Sequence, residues 1–214
     1  GCPAGLVLTA PGQPDLAVKP NGGPRRPVRI WKDEVSCEDL GDEPAAWLSA
    51  YLGRPCRLVH QPDESLRPVD QSYAAPQDQV SLADGFPVLV LSLETLDDLN
   101  ARLPEGEPPM TMARFRPNLV LAGGAPGIED QGARLQVGAV DLALVKPCAR
   151  CPIPTVDPET GRFAGREPLR TLSTYRRRGN NVFFGQNAIP RRAGWIALGD
   201  PAAVLSAGTS QALQ

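Results

Sequence analysis

The chain has 214 residues, of which 42% are hydrophobic and 21% charged. That is enough apolar surface for a sizeable core, and it excludes a wholly disordered protein despite 24 prolines. Lys plus Arg number 22 against 24 Asp plus Glu, for a net charge of -2, so nothing advertises a nucleic-acid or membrane-surface footprint. No apolar run approaches the ~20 residues of a membrane-spanning helix. The start at Gly1 lacks both a charged and an apolar leader region, so a fragment or processed form is expected rather than a signal peptide.

In chain order, residues 1–27 are rich in Gly and Pro, with Leu6–Leu8 a short strand candidate and Val28–Trp31 another. Asp42-Glu-Pro44 opens a helix: acids suit its first turn, and the missing N–H of proline costs nothing there. Trp47, Leu48, Tyr51 and Leu52 are expected to form its apolar face, and Gly53 its end. Cys56–Val59 is a strand candidate and residues 63–79 a polar loop. Pro87–Leu91 is a continuous apolar run, as in a strand buried on both faces. Ser92 caps a following helix with Leu93, Leu96, Leu99 and Leu103 as its stripe and Pro104 as its stop. Leu119–Leu121 is a strand, and Leu135–Val137, Gly138-Ala139 and Val140–Val145 make a hairpin. Glu167–Arg178 is expected as one amphipathic helix, Val182–Ile189 and Trp195–Leu198 as strands, and Gly199-Asp200 as a turn before Ala203–Leu205. A tail without core-forming pattern follows Ser206. Many short strands between turn signals predict a mainly β (α+β) barrel or sandwich with a few peripheral helices.

The five cysteines, Cys2, Cys37, Cys56, Cys148 and Cys151, are too scattered for a disulfide framework and suggest a reducing compartment, with a cytoplasmic location expected. The single histidine, His60, excludes two-His metal sites and reads as structural or exposed. Cys148-Ala-Arg-Cys151 admits several chemistries. A zinc knuckle lacks its second cysteine pair, and a thioredoxin-type pair lacks the helix that Pro152 and Pro154 forbid. A reactive thiolate beside Arg150 and Lys146, or a soft-metal ligand, is physically sensible. Arg114-Phe-Arg116-Pro-Asn118 is either a strand edge with solvated charges or an anion clamp, since guanidinium matches phosphate in a fork geometry.

Phe115-Arg-Pro-Asn-Leu-Val, Cys148-x-Arg-Cys151, Thr155-Val-Asp-Pro, Glu167-Pro-Leu and Phe184-Gly-Gln, in that order and spacing, resemble the MOSC domain, closest to the amidoxime-reducing components and their bacterial relatives. The resemblance implies a MOSC-type β-barrel over residues 61–207, preceded at 1–60 by a partial N-terminal β region and linker helix and followed by a mobile tail at 208–214. It implies a bound molybdenum–molybdopterin cofactor, with Cys151 the molybdenum ligand and Arg116 and Asn118 at the cofactor. Cys148, Ala149 (where the family often has Ser), Arg150 and the entry segment Asp84, Gly85, Phe86 would line the same site. The implied activity is reduction of N-hydroxylated compounds such as hydroxylamines and amidoximes to amines; the alternative is a cofactor-binding or sulfur-carrier module without turnover. Asp157, next to the thiolate loop, is the candidate proton-moving group, against a turn-capping reading before Pro158. A Lys-Ser strand that the family uses to hold the cofactor has no match in residues 1–27, so this chain is expected to bind the cofactor weakly or not at all. No cysteine-rich iron–sulfur module follows Leu205, so electrons are expected from a separate ferredoxin- or cytochrome b5-like protein and its reductase.

Overall fold

A computed structural model of the chain describes residues 5–206, arranged as two compact units. The first comprises residues up to Pro68 together with Gln79–Asp84, and the second Val69–Asp78 together with everything from Gly85. The tail expected at 208–214 lies outside the described residues. Among the described residues no helix is long and apolar enough to cross a membrane.

In the first unit, β1 (Leu6–Leu8) pairs antiparallel with β2 (Leu16–Val18). β3 (Arg25–Ile30) and β4 (Asp33–Asp39) form a hairpin to which β5 (Val59–His60) adds. The expected strand at Cys56–Val59 is reduced to β5, because Cys56 is drawn into a bond from its N–H to the Ser49 hydroxyl. β4, dense in acids, is held by tertiary contacts. Glu38 Oε1 accepts the N–H groups of Asn21, Gly22 and Gly23, and buried Asp39 takes Arg57 and Arg26. Helix α1 (Asp42–Leu52) starts and stops as expected, with Gly53 left-handed at φ 66°. Its buried face is different, however: Pro44 and Ala45 point inward, Tyr51 and Leu52 are half exposed, and Trp47 turns aside to donate its indole N–H to the Pro14 carbonyl.

The second unit is built on a curled half-barrel sheet ordered β12-β8-β9-β11-β6-β7, with β10 on β11. The strands are β6 (Val88–Ser92), β7 (Leu119–Leu121), β8 (Arg134–Val137), β9 (Val140–Ala149), β10 (Arg177–Arg178), β11 (Asn181–Arg192) and β12 (Ala202–Ser206). All neighbours are antiparallel except β6 and β7. β6 is buried on both faces, as its unbroken apolar run requires: Val90 joins a cluster with Leu135, Leu142 and Ala188, and Leu91 one with Leu99, Phe115, Leu172 and Phe184. Ser92 caps α2 (Leu93–Ala101) by accepting the Thr95 N–H at 3.1 Å. The mainly β architecture with peripheral helices is therefore as expected.

Two expected elements are absent in the form given. The helix over Glu167–Arg178 shrinks to α3 (Leu169–Leu172). Ser173 and Thr174 turn their hydroxyls onto the Arg170 and Thr171 carbonyls, the local competition that ends helices. Trp195–Leu198 is loop rather than strand: Trp195 stands 93% exposed, with no cross-strand partner in the register of β11 or β12.

Candidate active site

The site is carried by the end of β9 and the segment before β7. β9 pairs with β11, and the pairing slips where it matters: Ala149 faces Phe183 and Pro147 faces Gln186, so Phe184 and Gly185 oppose the single residue Cys148. Such a bulge bends the strand and re-aims its side chains. Gly185 makes it possible. Its φ is 83°, and a Cβ there would lie 2.9 Å from the Val90 carbonyl oxygen on β6. Phe184, on the bulge, is buried against Phe115 with ring centroids 4.5 Å apart. The Arg-x-Arg segment is thereby packed beside the cysteine strand.

Two guanidinium groups then lash the segments to each other. Arg150 donates from Nη2 to the Phe115 carbonyl at 2.9 Å, and its charge lies 5.5 Å from the Phe115 ring centroid. In the other direction, Arg114 donates from Nη1 to the carbonyls of Pro154 and Val156, both at 3.2 Å, in the loop after Cys151. Arg114 therefore serves the loop backbone and not an anion, a role that no local signal in the sequence announces.

Cys151 is exposed, two residues past the end of β9. Cys148 is half-buried and accepts a contact from Arg150 Nη1 at 3.3 Å. The arginine thus converges on Cys148. Ala149 is exposed. Arg116 is exposed, makes no ion pair among the described residues, and occupies the left-handed region at φ 56°, a costly conformation for a non-glycine residue. Asn118 is part of the sheet: its N–H goes to the Leu89 carbonyl at 2.9 Å and its Oδ1 accepts the Leu89 N–H at 2.8 Å. It also borders an apolar groove of about 380 Å³ with Val88, Leu142 and Pro190.

The entry segment separates. Asp84 belongs to the first unit, where its carbonyl accepts from Arg67 Nη2 at 2.9 Å. Gly85 and Phe86 belong to the second. There Phe86 meets Tyr73 edge-on at 6.2 Å, and Lys146 Nζ lies 4.3 Å from the Tyr73 ring centroid and 5.7 Å from that of Phe86. This aromatic seat fixes Lys146 at the start of the cysteine motif, a role the sequence suggested only by its position. Asp157 Oδ1 accepts the N–H groups of Glu159 at 2.8 Å and Thr160 at 3.1 Å, the geometry of a turn cap. The Thr160 and Glu159 N–H groups hold this carboxyl below the usual carboxylate range. His60 lies in the first unit with its Nδ1 3.3 Å from Glu38 Oε2.

A soft-metal cofactor with an anionic tail can be tested against these groups. The exposed Cys151 thiol is a suitable soft donor, and the unpaired Arg116 guanidinium is a suitable anion partner. Arg150 Nε is buried without a hydrogen-bond partner, an orphan donor of the kind that a ligand satisfies. Among the described residues no three His, Cys, Asp or Glu side chains gather as a metal cluster. The residues fit such a group.

A family model for the MOSC domain matches residues 77–203. The chain is 35% identical over 216 residues to mitochondrial amidoxime-reducing component 1 of Homo sapiens, covering 94% of this chain and 63% of that protein. It is 30% identical over 213 residues to mitochondrial amidoxime reducing component 2 of Rattus norvegicus, covering 92% and 62%. It is also 29% identical over 171 residues to a molybdenum cofactor sulfurase of Oryza sativa subsp. japonica, covering 74% of this chain and 21% of that protein. The chain thus spans under two thirds of each of these relatives.

Proposed function

The chain belongs to the MOSC-domain family, and on that footing we propose that it holds a molybdenum–pterin cofactor and reduces N-hydroxylated compounds to amines. The observation that supports the reading is the double lash between the motifs that carry Arg116 and Cys151: Arg150 donates to the Phe115 carbonyl, and Arg114 to those of Pro154 and Val156. The names of the relatives, amidoxime-reducing components and a molybdenum cofactor sulfurase, support it.

In this proposal Cys151 supplies the thiolate that ligates the metal, and Arg116 and Arg150 bind the anionic part of the cofactor. Held there by Cys151, Arg116 and Arg150, such a cofactor would supply the two-electron, oxygen-accepting chemistry. The balance is one hydroxylamine plus two electrons and two protons, giving one amine and one water. The electrons come from a separate redox protein with its own reductase. Asp157, its proton affinity lowered and its oxygen engaged by two N–H groups, holds the turn beneath the thiolate loop, and the protons are delivered by water.

The test is metal content and turnover of benzamidoxime with reduced methyl viologen. Cys148→Ser should keep both molybdenum and turnover, and Cys151→Ser should lose both. Equal profiles for the two variants would remove Cys151 from its role, and stoichiometric cofactor without turnover would favour a carrier module.

A further inference from the structure

The apolar groove that Asn118 borders lies away from the cysteine motif. Strand ends make most of its wall: Val88 opens β6, Leu119 opens β7, Val140 and Leu142 open β9, and Pro190 stands near the end of β11. Pro190 faces Leu142 in the register, six positions along β9 from Cys148, or about 20 Å at the usual rise of a strand. Val88, Leu119, Val140 and Leu142 all belong to the core cluster of Val90, Leu135 and Ala188. The groove is thus where that core reaches the surface, at one end of the curled sheet.

The loop after β11 supplies the remaining wall through Ala193, Gly194 and Ile196. Gly194 comes so close to the sheet that a Cβ there would stand 3.1 Å from Val140 Cγ2. A turn fixes the far end of the loop, with the Ala197 N–H on Asp200 Oδ2 at 2.9 Å and the Asp200 N–H on the Ala197 carbonyl at 3.1 Å. Among the described residues no charged side chain lines the groove. The two arginines between Pro190 and Ala193 are engaged elsewhere, Arg191 Nη1 on Asp78 at 2.6 Å and Arg192 Nε on the Ala139 carbonyl at 2.7 Å. Asn118 is the one polar side chain in the lining among the described residues. Its Oδ1 accepts the Leu89 N–H, which fixes the amide plane, and its Nδ2 makes no hydrogen bond among the described residues.

We propose that this groove is a binding site for an uncharged, largely apolar small molecule that carries one hydrogen-bond acceptor for Asn118 Nδ2. Aliphatic walls around a single placed polar group are the composition of small-molecule sites, and the end of a curled sheet is a usual place for one. Size sets the ligand. An apolar cavity of about 150 Å³ takes benzene, so about 380 Å³ takes a fused two-ring aromatic with a short substituent. Charge sets it too: a carboxylate brought into these walls would meet no cation and lose its hydration. The inference goes beyond the reductase reading and does not depend on it, since none of the lining except Asn118 belongs to the candidate site.

The experiment titrates the full chain with 2-acetylnaphthalene, naphthalene and 2-naphthoate, following methyl resonances by NMR. The ketone should bind with a Kd of roughly 10–100 μM and shift the methyls of Val88, Leu119, Val140, Leu142 and Ile196. Naphthalene should bind several-fold more weakly, and the carboxylate at least about tenfold more weakly. Ala193→Trp and, independently, Ile196→Trp should plug the groove and weaken the ketone by at least about tenfold, with circular dichroism confirming that both fold. Asn118→Asp keeps the oxygen that holds Leu89 and removes the Nδ2 donor, so it should abolish the advantage of the ketone over naphthalene. Absence of ketone binding at about 1 mM, equal binding of the carboxylate, or unchanged binding in both tryptophan variants overturns the site. So does a shift confined to other methyls, or a ketone advantage that survives Asn118→Asp. A concentration-dependent dimer in sedimentation, lost in Trp195→Ala and without naphthyl binding, also overturns it and gives the groove to a second copy.

Discussion

Replacing Arg150 with alanine tests whether the two motifs are held together as the geometry indicates. Besides its weak bond to the Cys148 sulfur, the side chain gives a charge-assisted hydrogen bond from Nη2 to the Phe115 carbonyl at 2.9 Å, of a kind that contributes roughly 1.5–3 kcal/mol. Partial exposure favours the lower end of that range. The guanidinium over the Phe115 ring at 5.5 Å adds about 0.5–1 kcal/mol. Against these stands the buried, unpartnered Nε, whose removal recovers on the order of 1 kcal/mol. Arg150→Ala should therefore cost about 1–2 kcal/mol in urea unfolding. It should also speed thiol labelling of Cys148, which loses its 3.3 Å contact with Nη1. Arg114→Ala, which cuts the reciprocal bonds to Pro154 and Val156, should cost about 1–2 kcal/mol. Because both arginines bind the same pair of segments, the double variant should depart from additivity by at least about 0.5 kcal/mol. A loss under about 0.5 kcal/mol for Arg150→Ala, or additivity of the two, would refute the idea that the lash holds the site.

Two further outcomes follow from the structure. Gly185→Ala should destabilise the second unit by roughly 2–4 kcal/mol, because the new Cβ is strained at φ 83° and meets the Val90 carbonyl oxygen at 2.9 Å; a midpoint of urea unfolding close to that of the parent would show that the bulge opposite Cys148 is dispensable. Asp39 and Glu38 should make the first unit acid-sensitive. Asp39 is held well below the usual carboxylate range by the Arg57 guanidinium, then the Gly41 N–H and Arg26, and Glu38 is lowered by the Asn21 N–H and its neighbours. Their folded pKa values lie below the unfolded ones, so the stability they contribute is complete above the ordinary carboxylate values near 4 and is lost as the pH falls further. Thermal scans from pH 7 to pH 2.5 should show a steeper acid limb for the parent than for Asp39→Asn, and parallel limbs would contradict this assignment.

What local chemistry decides was legible in advance. The acidic start and left-handed Gly53 of α1, the Ser92 cap of α2, the two-faced burial of β6 and the turn at Gly138 each follow from residues within a few positions of the element. What distant partners decide was not. β4 passes unnoticed because its sequence, Asp33-Glu-Val-Ser-Cys-Glu-Asp39, carries four acids in seven positions; it is a strand only because Arg26, Arg57 and three N–H groups of residues 21–23 arrive to meet Glu38 and Asp39. Glu167–Arg178 misleads in the opposite sense. Its apolar spacing is helical, but the hydroxyls of Ser173 and Thr174 satisfy the carbonyls that a continuing helix would have used.

The candidate site divides along the same line. The sequence could name Cys151, Cys148, Arg116 and Asn118, since the motifs hold them in a fixed order. It could not say which guanidinium serves which partner. Three arginines lie within the two motifs, and nothing in their identity distinguishes Arg114, which ties down backbone 40 and 42 residues away, from Arg116, which is exposed and unpaired. The backbone makes the distinction. Arg114 lies in a 3₁₀ turn that directs it to the loop after Cys151, whereas Arg116, immediately before Pro117, is itself left-handed at φ 56° and exposed. That conformation costs about 1–2 kcal/mol for a side chain with a Cβ. The segment bears it because Phe115 is clamped on one side by Phe184 and Arg150, and Asn118 on the other by the two hydrogen bonds to Leu89. The most strained residue of the motif is thus also the one of its arginines whose guanidinium has no hydrogen bond among the described residues, held between two rigid anchors, which is where stored strain most often marks a binding role.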